Sequence, residues 1–380
     1  MKHTLIVSPE KGGHCPFYLS LLAEAFTAEG CKILADIHNT DSLEHLKNRN
    51  IVVENYKFIE PCAGSSKDLI NQIRELVVQY RFKTVFFAYL DAHLESLLMS
   101  NRPIGCSIAG IWFHPYALDR KYQWTPPLDK RLRSRRNIHF GLKRSIVARE
   151  LKHIFFLDDA SPTLLKSVNE EITSSILNDP SEHPSELSSE AARSHFNLPH
   201  DRTIFLHAGS SEPRKGFSDT VKAFKRLSRN KSLRDHIFLL RVGANPYLSK
   251  ASRKDLDYLT EIGMAQASGE YVSQKEFIEY FSAADWVIIP YRNFRYSSGI
   301  FANAVSSNTP IIASNYGLIG RYASLLKNGD VYPHKDWKGL SRAVARHASD
   351  RRQCVHTGSQ SHSKGEFIQQ IQSAYKSAHI

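Results

Sequence analysis

Short apolar runs alternate with amphipathic stretches along the whole chain. In the first half, runs such as HTLIVS, KTVFFAY and HIFFLD are separated by segments with helical spacing of apolar residues, such as SKDLINQIRELVVQYRF. In the second half, TIFLHAG, HIFLLRVG, DWVIIPY and PIIAS alternate with helical segments in the same way. Continuous apolar strands that alternate with helices predict an α/β fold in which parallel sheets are covered by helices on both faces.

A change of composition divides the chain into two such series. Residues 178–197 are rich in Pro, Ser and Glu, which predicts a linker whose second half is a short helix. A chain of 380 residues is long enough for two domains of ordinary size. We therefore predict a Rossmann-like domain over 1–177, the linker over 178–197, a second Rossmann-like domain over 198–358 and a terminal helical segment over 359–380.

The most informative stretch is PYRNFRYSSGIFANAVSSNTPIIAS, which follows a buried strand. It predicts a helix that opens on Ser297, Ser298 and Gly299. The first N–H groups of a helix have no acceptor within the helix, and the dipole is positive at that end. Such a terminus binds anions, and phosphate is a common one.

A second glycine turn, HAGSSEPRKGF, joins an earlier strand to its helix. It carries Gly209 and the adjacent cations Arg214 and Lys215. Two turns of this kind in one parallel α/β domain indicate a pocket for a diphosphate, such as that of a nucleotide. The alternative for Arg214 and Lys215 is a solvated surface pair, and the alternative for Ser298 is an ordinary helix cap.

Composition narrows the class of protein. The chain is 42% hydrophobic and 23% charged, and no apolar run approaches the roughly 20 residues that span a bilayer. TLIVS is too short for the apolar core of a secretory leader. The five cysteines are scattered and form no CxxC motif. This pattern disfavours a disulfide framework or a zinc site and favours a reducing cytoplasm.

Charge favours anionic partners, because the formal net charge is +12. The excess is concentrated in residues 130–152, where many Lys and Arg residues stand against only Glu150. Leu142, Ile146, Val147 and Leu151 fall near helical spacing, which predicts an amphipathic helix over this half of the segment. The segment is either a solvated helix face or a patch that binds an anionic membrane surface or an anionic acceptor. Nucleic-acid binding is disfavoured, since aromatic residues are not interleaved with the cations in a known module pattern.

The second half resembles glycosyltransferase family 4, whose members are retaining nucleotide-sugar transferases of the GT-B fold. HAGSSEPRKGFSDTVKAF is similar to the family's glycine turn with its cations and helix. GEYVSQKEFIEYFSAADWVIIPY and SSGIFANAVSSNTPIIASNYGLIGR follow in the family's order. The likeness covers about residues 176–375 well and is loose in the first half. It implies two Rossmann-like domains that face a central cleft, with the terminal helix crossing back to the first.

The resemblance also implies roles for single residues. The donor's diphosphate would be bound by Gly209, Arg214, Lys215, Ser298, Gly299 and Ile300, and its base by the backbone of Tyr271 and Val272. Gly12 and Gly13 match the family's opening loop, which approaches donor or acceptor. His114 matches its active-site histidine, and it ends a strand at the edge where parallel sheets bind ligands. As an alternative, His114 is a capping residue. A base for inverting chemistry would come from Asp91, Asp119 or Asp158, among which the sequence selects none.

Two positions depart from the family pattern. Asn303 replaces the glutamate that binds ribose hydroxyls, one helical turn after Gly299. Arg295 stands where the first motif glutamate falls, a residue that the Ser-Ser-Gly loop subset often lacks. A neutral hydrogen bond contributes roughly 1 kcal/mol where a charged one contributes about 1.5–3. A non-catalytic relative that binds nucleotide sugars, or serves as a scaffold, is therefore the alternative.

The resemblance implies a specific reaction. A hexose would pass from a UDP- or GDP-linked sugar to a hydroxyl of a glycan, lipid-linked or polysaccharide acceptor with retention, and with neither metal nor cofactor. The expected partners are the nucleotide sugar, the acceptor and an anionic membrane surface that binds 130–152, but no nucleic acid. The expected location is the cytoplasm, with peripheral attachment to the inner face of the membrane.

Overall fold

The computed structural model describes residues 4–10, 15–26, 31–35, 58–59, 65–118, 130–181, 185–243, 247–268, 272–351 and 362–377. In these residues the strands are β1 (Thr4–Ser8), β2 (Cys31–Ala35), β3 (Phe58–Ile59), β4 (Thr84–Phe87), β5 (Ser107–Trp112), β6 (Leu151–Phe156), β7 (Thr173–Ile176), β8 (Thr203–Ala208), β9 (Ile237–Val242), β10 (Ala265–Ser268), β11 (Trp286–Ile289), β12 (Ile311–Ser314) and β13 (Gly329–Tyr332).

The α-helices in the same residues alternate with the strands. They are α1 (Cys15–Phe26), α2 (Ser66–Tyr80), α3 (Leu94–Leu98), α4 (Lys130–Arg144), α5 (Ser161–Val168), α6 (Ser189–His195), α7 (Phe217–Leu227), α8 (Lys231–His236), α9 (Lys250–Glu261), α10 (Gln274–Ala283), α11 (Gly299–Ser306), α12 (Gly317–Leu325), α13 (Trp337–Arg346) and α14 (Lys364–Ser377).

The chain divides into two compact units, 1–178 with 365–380, and 179–364. In the first unit the described strands form a parallel sheet in the order β3-β2-β1-β4-β5-β6-β7. In the second they form a parallel sheet in the order β10-β9-β8-β11-β12-β13. The predicted α/β class with two parallel sheets is thus confirmed. Both orders reverse direction in the middle, as in doubly wound folds.

The first unit has a core on each face of its sheet. Leu5, Ile73, Val85 and Ile108 lie in one cluster, and Ile6, Phe86 and Phe155 lie in the other. Helix α14 belongs to this unit and contributes Phe367, Ile371 and Tyr375 to the second cluster. Tyr375 Oη lies 2.7 Å from Thr4 Oγ1, at the start of β1. The last helix of the chain therefore packs against the first strand's sheet.

The second unit includes helix α6, which lies within the segment 178–197 that composition marks as a linker. Arg193 of α6 is buried and its Nη2 donates to Asp285 Oδ2 at 2.6 Å. Asp285, just before β11, also accepts the N–H of Ile204 at 2.7 Å. Arg193 Nε donates to the carbonyl of Ala283 at 3.0 Å. A buried charge needs an ionic partner and hydrogen bonds. The contacts of Arg193 therefore hold this half of the segment in the second unit.

The helix predicted through Leu151 is wrong in its second half. Helix α4 begins at Lys130 and ends at Arg144, and a 3₁₀ turn covers Val147–Arg149. Leu151 is instead the first residue of β6, paired with Ile108 of β5. Ile146 is 46% exposed. Pairing with β5 places Leu151 in the core of the parallel sheet. This tertiary contact outweighs the helical spacing of the apolar residues in the sequence.

Among the helices of the described residues, none has the length and apolar content to cross a bilayer.

Candidate functional site

The two predicted anion turns follow neighbouring central strands of the second unit. Strands β8 and β11 pair in parallel, with Phe205 opposite Trp286 and Leu206 opposite Val287. The glycine turn follows β8, and the Ser-Gly helix follows β11. Both turns therefore lie at the carboxyl edge, at the point where the strand order reverses. This is where open α/β sheets bind their ligands.

The turn after β8 depends on two glycines. Gly209 has φ +99°, and a Cβ placed there would lie 2.8 Å from Lys215 Nζ. Gly216 has φ +68°, and a Cβ there would overlap the carbonyl oxygen of Pro290 in the turn after β11. Both residues hold left-handed conformations that favour glycine. Because these two positions lack a Cβ, the turn can pack against the side chain of Lys215 and against the turn that follows β11.

Arg214 and Lys215 occupy different environments within this turn. Arg214 is exposed, its Nε donates to Glu212 Oε2 at 2.8 Å, and its guanidinium carbon lies 4.9 Å from the centre of the Phe294 ring. Lys215 is half-buried. Burial lowers its pKa to about 8, Arg214 and Arg241 act in the same direction, and Glu212 opposes them. Among the described residues, Lys215 Nζ has no hydrogen-bond or ion-pair partner.

The turn after β11 is a capped helix start. Ser298 is the N-cap of α11, and its Oγ accepts the N–H of Ile300 at 3.2 Å. Tyr291 is buried and its hydroxyl lies 3.0 Å from Ser298 Oγ. A Cβ at Gly299 would meet no atom of the described residues within 4 Å, so the space over this residue is open in this part of the structure. The N–H of Ile300 is engaged in the cap, which leaves the remaining first-turn N–H groups to offer an anion.

Backbone and side chains join the two turns directly. The N–H of Arg292 donates to the carbonyl of Arg214 at 2.7 Å. The guanidinium of Arg292 makes two bonds to the carboxylate of Asp219 in α7, one of them from Nε at 2.6 Å. Asp219 is 2% exposed. This two-point ion pair sets the spacing between the cationic turn and the helix start.

Asn303 and Arg295 lie at the same edge. Asn303 is 8% exposed and its Nδ2 donates to the carbonyl of Gly299 at 2.7 Å. Arg295 is exposed, and its Nε donates to the hydroxyl of Tyr316 at 3.1 Å. The amide of Asn303 is therefore held against the first turn of its own helix, next to the open space over Gly299.

In the first unit, His114 lies two residues after β5 and contacts a carboxylate. The N–H groups of Phe113 and His114 both donate to the Asp91 carboxylate at 2.8 Å, and His114 Nδ1 lies 3.1 Å from Asp91 Oδ1. The His114 ring stacks at 13° on Tyr116. The His114 side chain is 30% exposed and that of Asp91 14%. The Asp91 carboxylate thus contacts both the backbone and the ring of His114, and it orients the imidazole.

A second carboxylate–histidine pair lies close to the first. Glu10, after β1, places Oε1 2.6 Å from His93 Nε2. His93 is 6% exposed, and within the described residues its Nδ1 and Glu10 Oε2 have no hydrogen-bond partner. Burial, with Glu10 and Asp91, raises the pKa of the Cys15 thiol to about 12. Acidic groups therefore gather at the carboxyl ends of β1 and β4, where this sheet reverses its order.

Several predicted residues stand apart from these clusters. Gly12, Gly13, Tyr271 and Asp119 lie outside the described residues. Val272 is half-buried and precedes Ser273, the N-cap of α10. Asp158 caps α5 through Ser161, whose N–H it accepts at 2.8 Å. Among the described residues, no three His, Cys, Asp or Glu side chains are arranged as a metal site.

Sequence reasoning missed Arg241, Tyr291 and the Arg292–Asp219 pair. It named Asp91 without selecting it. For Arg241 a signal exists, since a cation stands inside the apolar strand HIFLLRVG. For Arg292 and Asp219 there is none, because the two residues meet only once β8 and β11 are neighbours.

The basic segment presents several exposed cations on α4. Arg133, Arg136, Lys143 and Arg144 are exposed, while the Arg135 guanidinium carbon lies 4.4 Å over the Tyr116 ring. Exposed Ile146 follows the helix. The segment is a charged surface with one apolar residue at its end.

Residues 188–363 match the family model described as "Glycosyl transferases group 1". The matched stretch lies within the second unit. It contains both turns of the second unit, with Arg214, Lys215, Ser298 and Gly299.

A sequence relative agrees with this assignment. The lipopolysaccharide 1,2-N-acetylglucosaminetransferase of Salmonella typhimurium is 29% identical over 136 residues. The matched stretch covers 34% of this chain and 35% of the relative. The chain thus matches about a third of that protein's length.

Solved structures of the GT-B type resemble the whole chain in fold. Anabaena HepE in complex with UDP has a TM-score of 0.69 at 12% identity, covering 99% of this chain and 100% of HepE. The sucrose-phosphate synthase of Thermosynechococcus elongatus has a TM-score of 0.65 at 16% identity, with 100% and 96% covered. WaaG, a glycosyltransferase involved in lipopolysaccharide biosynthesis, has a TM-score of 0.62 at 13% identity, with 98% and 95% covered. The predicted GT-B fold is confirmed.

Proposed function

We propose that this chain is a retaining glycosyltransferase of family 4, of the Ser-Ser-Gly loop subset, which moves a hexose from a UDP- or GDP-linked sugar to an acceptor hydroxyl. The observation that carries the proposal is the junction of the two turns in the second unit. The Arg292 N–H to Arg214 carbonyl bond brings a pair of cations next to an open helix start. The group 1 domain and the lipopolysaccharide transferase relative support the same reaction class.

The chemistry of the reaction explains why cations are needed there. As the glycosidic bond breaks, negative charge grows on the leaving nucleoside diphosphate. Arg214, Lys215 and the N-terminus of α11 are fixed positive groups, and they stabilise that charge more in the transition state than in the ground state. We propose that the reaction proceeds without a metal or cofactor, with these groups supplying the positive charge.

Retention follows if the leaving phosphate serves as the base. In this mechanism the acceptor hydroxyl attacks on the face from which the phosphate departs, and a phosphate oxygen takes its proton. No protein nucleophile is then required. We propose that His114 steadies the reacting centre through Nε2, and that Asp91 fixes its ring.

The acceptor is proposed to be a glycan, a lipid-linked sugar or a polysaccharide precursor, bound by the first unit. The lipopolysaccharide relative supports this class. The cations of α4 and exposed Ile146 support peripheral attachment to an anionic membrane, and with it a cytoplasmic location. Sedimentation with vesicles that contain phosphatidylglycerol tests the attachment. R133E/R136E should abolish co-sedimentation, whereas K166E, the control at an exposed site, should still sediment with the vesicles. Equal sedimentation of the two variants would refute the proposed membrane attachment.

The function is tested by product analysis. The protein is incubated with UDP- and GDP-linked hexoses and simple acceptor sugars, and the anomeric configuration of the product is read by proton NMR. We expect transfer, or slow donor hydrolysis, with the donor's configuration kept, and loss of both in R214A/K215A. Inverted product would refute retention. Nucleotide binding without any turnover would favour the scaffold alternative that Asn303 and Arg295 raise.

A further inference from the structure

The two adjacent serines at the start of α11 form different hydrogen bonds. Ser297 Oγ donates to Asp179 Oδ2 at 2.8 Å. Ser298 Oγ accepts the N–H of Ile300 at 3.2 Å and lies 3.0 Å from the hydroxyl oxygen of Tyr291. Within the part of the chain that the structure describes, the hydroxyls of Ser297, Ser298 and Tyr291 form no other hydrogen bond. Each proton in this small network can therefore be assigned.

The hydroxyl proton of Ser297 is used within the protein. An ionised carboxylate only accepts hydrogen bonds, so the proton between Ser297 and Asp179 comes from the serine. Asp179 is 8% exposed, and a hydrogen bond to a charged acceptor is among the strong ones. Ser297 therefore has no hydroxyl proton to offer to an anion.

The hydroxyl of Tyr291 is a donor to Ser298. Tyr291 is 4% exposed, and its carbonyl accepts the Ser314 hydroxyl at 2.9 Å, which fixes its backbone. Burial raises the pKa of Tyr291, so the hydroxyl keeps its proton. A buried donor without an acceptor is costly, and in the described residues the acceptor within reach is Ser298 Oγ. The proton of this bond therefore comes from the tyrosine.

Ser298 is left with a proton for a ligand. A serine oxygen has two lone pairs, and here they accept from Ile300 and Tyr291. Its own proton takes part in neither bond. Ser298 is half-buried, and it precedes Gly299, over which the described residues leave open space. The side chain that caps the helix can thus also donate to an anion at the helix start.

We propose that the Ser298 hydroxyl donates to a phosphate oxygen of the bound nucleoside diphosphate, and that Tyr291 is the positioning residue that directs this proton to the ligand. The inference rests on the proposed function. Successive hydrogen bonds from Tyr291 to Ser298 and from Ser298 to a charged phosphate strengthen one another. The neighbouring Ser297 has no such role, because Asp179 holds its proton.

Binding to variants of the two serines tests the role of Ser298. Affinities for UDP and GDP are measured by calorimetry at pH 7.0 on the full chain. S298G removes the hydroxyl, and glycine is tolerated at an N-cap far better than alanine. S298T retains the hydroxyl, and S297A is the matched control. For the diphosphate that the wild type binds, we expect S298G to lower the affinity about tenfold, the equivalent of one charge-assisted hydrogen bond, and S298T and S297A to lower it less than about twofold.

A double-mutant cycle tests the role of Tyr291. Y291F removes the hydroxyl and keeps the ring. We expect Y291F alone to lower the diphosphate affinity about threefold, and Y291F/S298G to bind no more weakly than S298G, because the tyrosine acts through the serine. A purely structural effect of Y291F would be the same in both backgrounds, and that result would overturn the positioning role.

The outcomes separate this inference from the function on which it rests. S298G that binds the diphosphate as the wild type does, or S297A that loses as much affinity as S298G, would overturn the role of Ser298 and leave the diphosphate site intact. A wild type that binds neither UDP nor GDP would instead refute the proposed function, and the inference with it.

Discussion

The carboxyl ends of the two sheets carry opposite chemistry. In the first unit, carboxylates are paired with imidazoles, as in Asp91 with His114 and Glu10 with His93. In the second unit, cations and a helix N-terminus gather around Gly209 and Ser298. The same doubly wound framework therefore carries carboxylate–imidazole pairs in one unit and a cationic turn beside a helix N-terminus in the other.

The difference teaches that strand order specifies where a site lies and side chains specify what it does. Both sites lie where the order reverses, after β1, β4 and β5 in the first sheet and after β8 and β11 in the second. The proposed division of labour follows from this contrast. The second unit would hold the leaving diphosphate, and the first would orient the groups that act on the sugar and its acceptor.

The largest expected effect comes from removing the cations of the second unit. R214A/K215A should lower the rate of transfer by about 10³-fold, because each fixed group that stabilises developing charge contributes about 10²–10³ at most. Steady-state kinetics with saturating donor measure it. K222A, at an exposed position of α7, should keep the wild-type rate. An unchanged rate of transfer in R214A/K215A would contradict the role that the comparison assigns to the cations of the second unit.

A smaller effect is expected from removing the His114 imidazole of the first unit. H114A should reduce kcat by about 10²-fold if Nε2 acts at the reacting centre, within the usual range for positioned side chains. D91N should give a smaller loss and a change in the His114 tautomer, visible as a changed ¹⁵N shift of Nδ1, because the carboxylate that holds Nδ1–H is gone. E75Q, an exposed carboxylate on α2, is the control. If D91N left both kcat and the ¹⁵N shift unchanged, Asp91 would not position His114.

The connection between the two turns can be weakened at a glycine. G216A places a Cβ against the Pro290 carbonyl at a residue with φ +68°, so both the left-handed conformation and the contact are strained. We expect a loss of stability of about 1–3 kcal/mol and weaker nucleotide binding. Urea unfolding with and without nucleotide separates the two effects. G263A, also at φ +68° but with no atom of the described residues within 4 Å of its Cβ, is the matched control. Equal binding by the two variants would contradict the role of the junction.

The smallest effect is expected at the helix cap. S298A removes the acceptor of the Ile300 N–H and the partner of the Tyr291 hydroxyl. Loss of an N-cap serine costs about 1 kcal/mol. The midpoint of thermal unfolding should therefore fall by a few degrees, and S188A at the N-cap of α6 should give a similar fall without affecting nucleotide binding. If S298A bound nucleotides as the wild type does, the anion site would not depend on this cap.

Much of the fold could be predicted from the sequence, because parallel sheets covered on both faces leave continuous apolar strands such as TIFLHAG. Local glycine and serine patterns also predicted the turns after β8 and β11, since the geometry of a turn is set within a few residues. What could not be predicted depends on contacts between distant parts of the chain. Arg292 and Asp219 meet through sheet order, and Leu151 joins β6 because Ile108 lies opposite it.

The candidate site was likewise predictable only in part. The turn residues Gly209, Arg214 and Lys215 stand in one short motif, so sequence alone placed them together. Arg241 comes from another strand, and its approach to Gly209 is visible only through the shared carbonyl of Val242. Asp91 could not be preferred to Asp158 until its bonds to His114 were seen, because both precede a short helix in the sequence.

The most direct test of the central claim is a calorimetric titration of the full chain with UDP and GDP, on the wild type, R214A/K215A and K222A. We predict that the wild type and K222A bind one of the two diphosphates with the same affinity, and that R214A/K215A loses at least about 10²-fold. That result would place the leaving group on the cationic edge of the second unit. Equal affinity in all three proteins, or no binding of either diphosphate, would contradict the account.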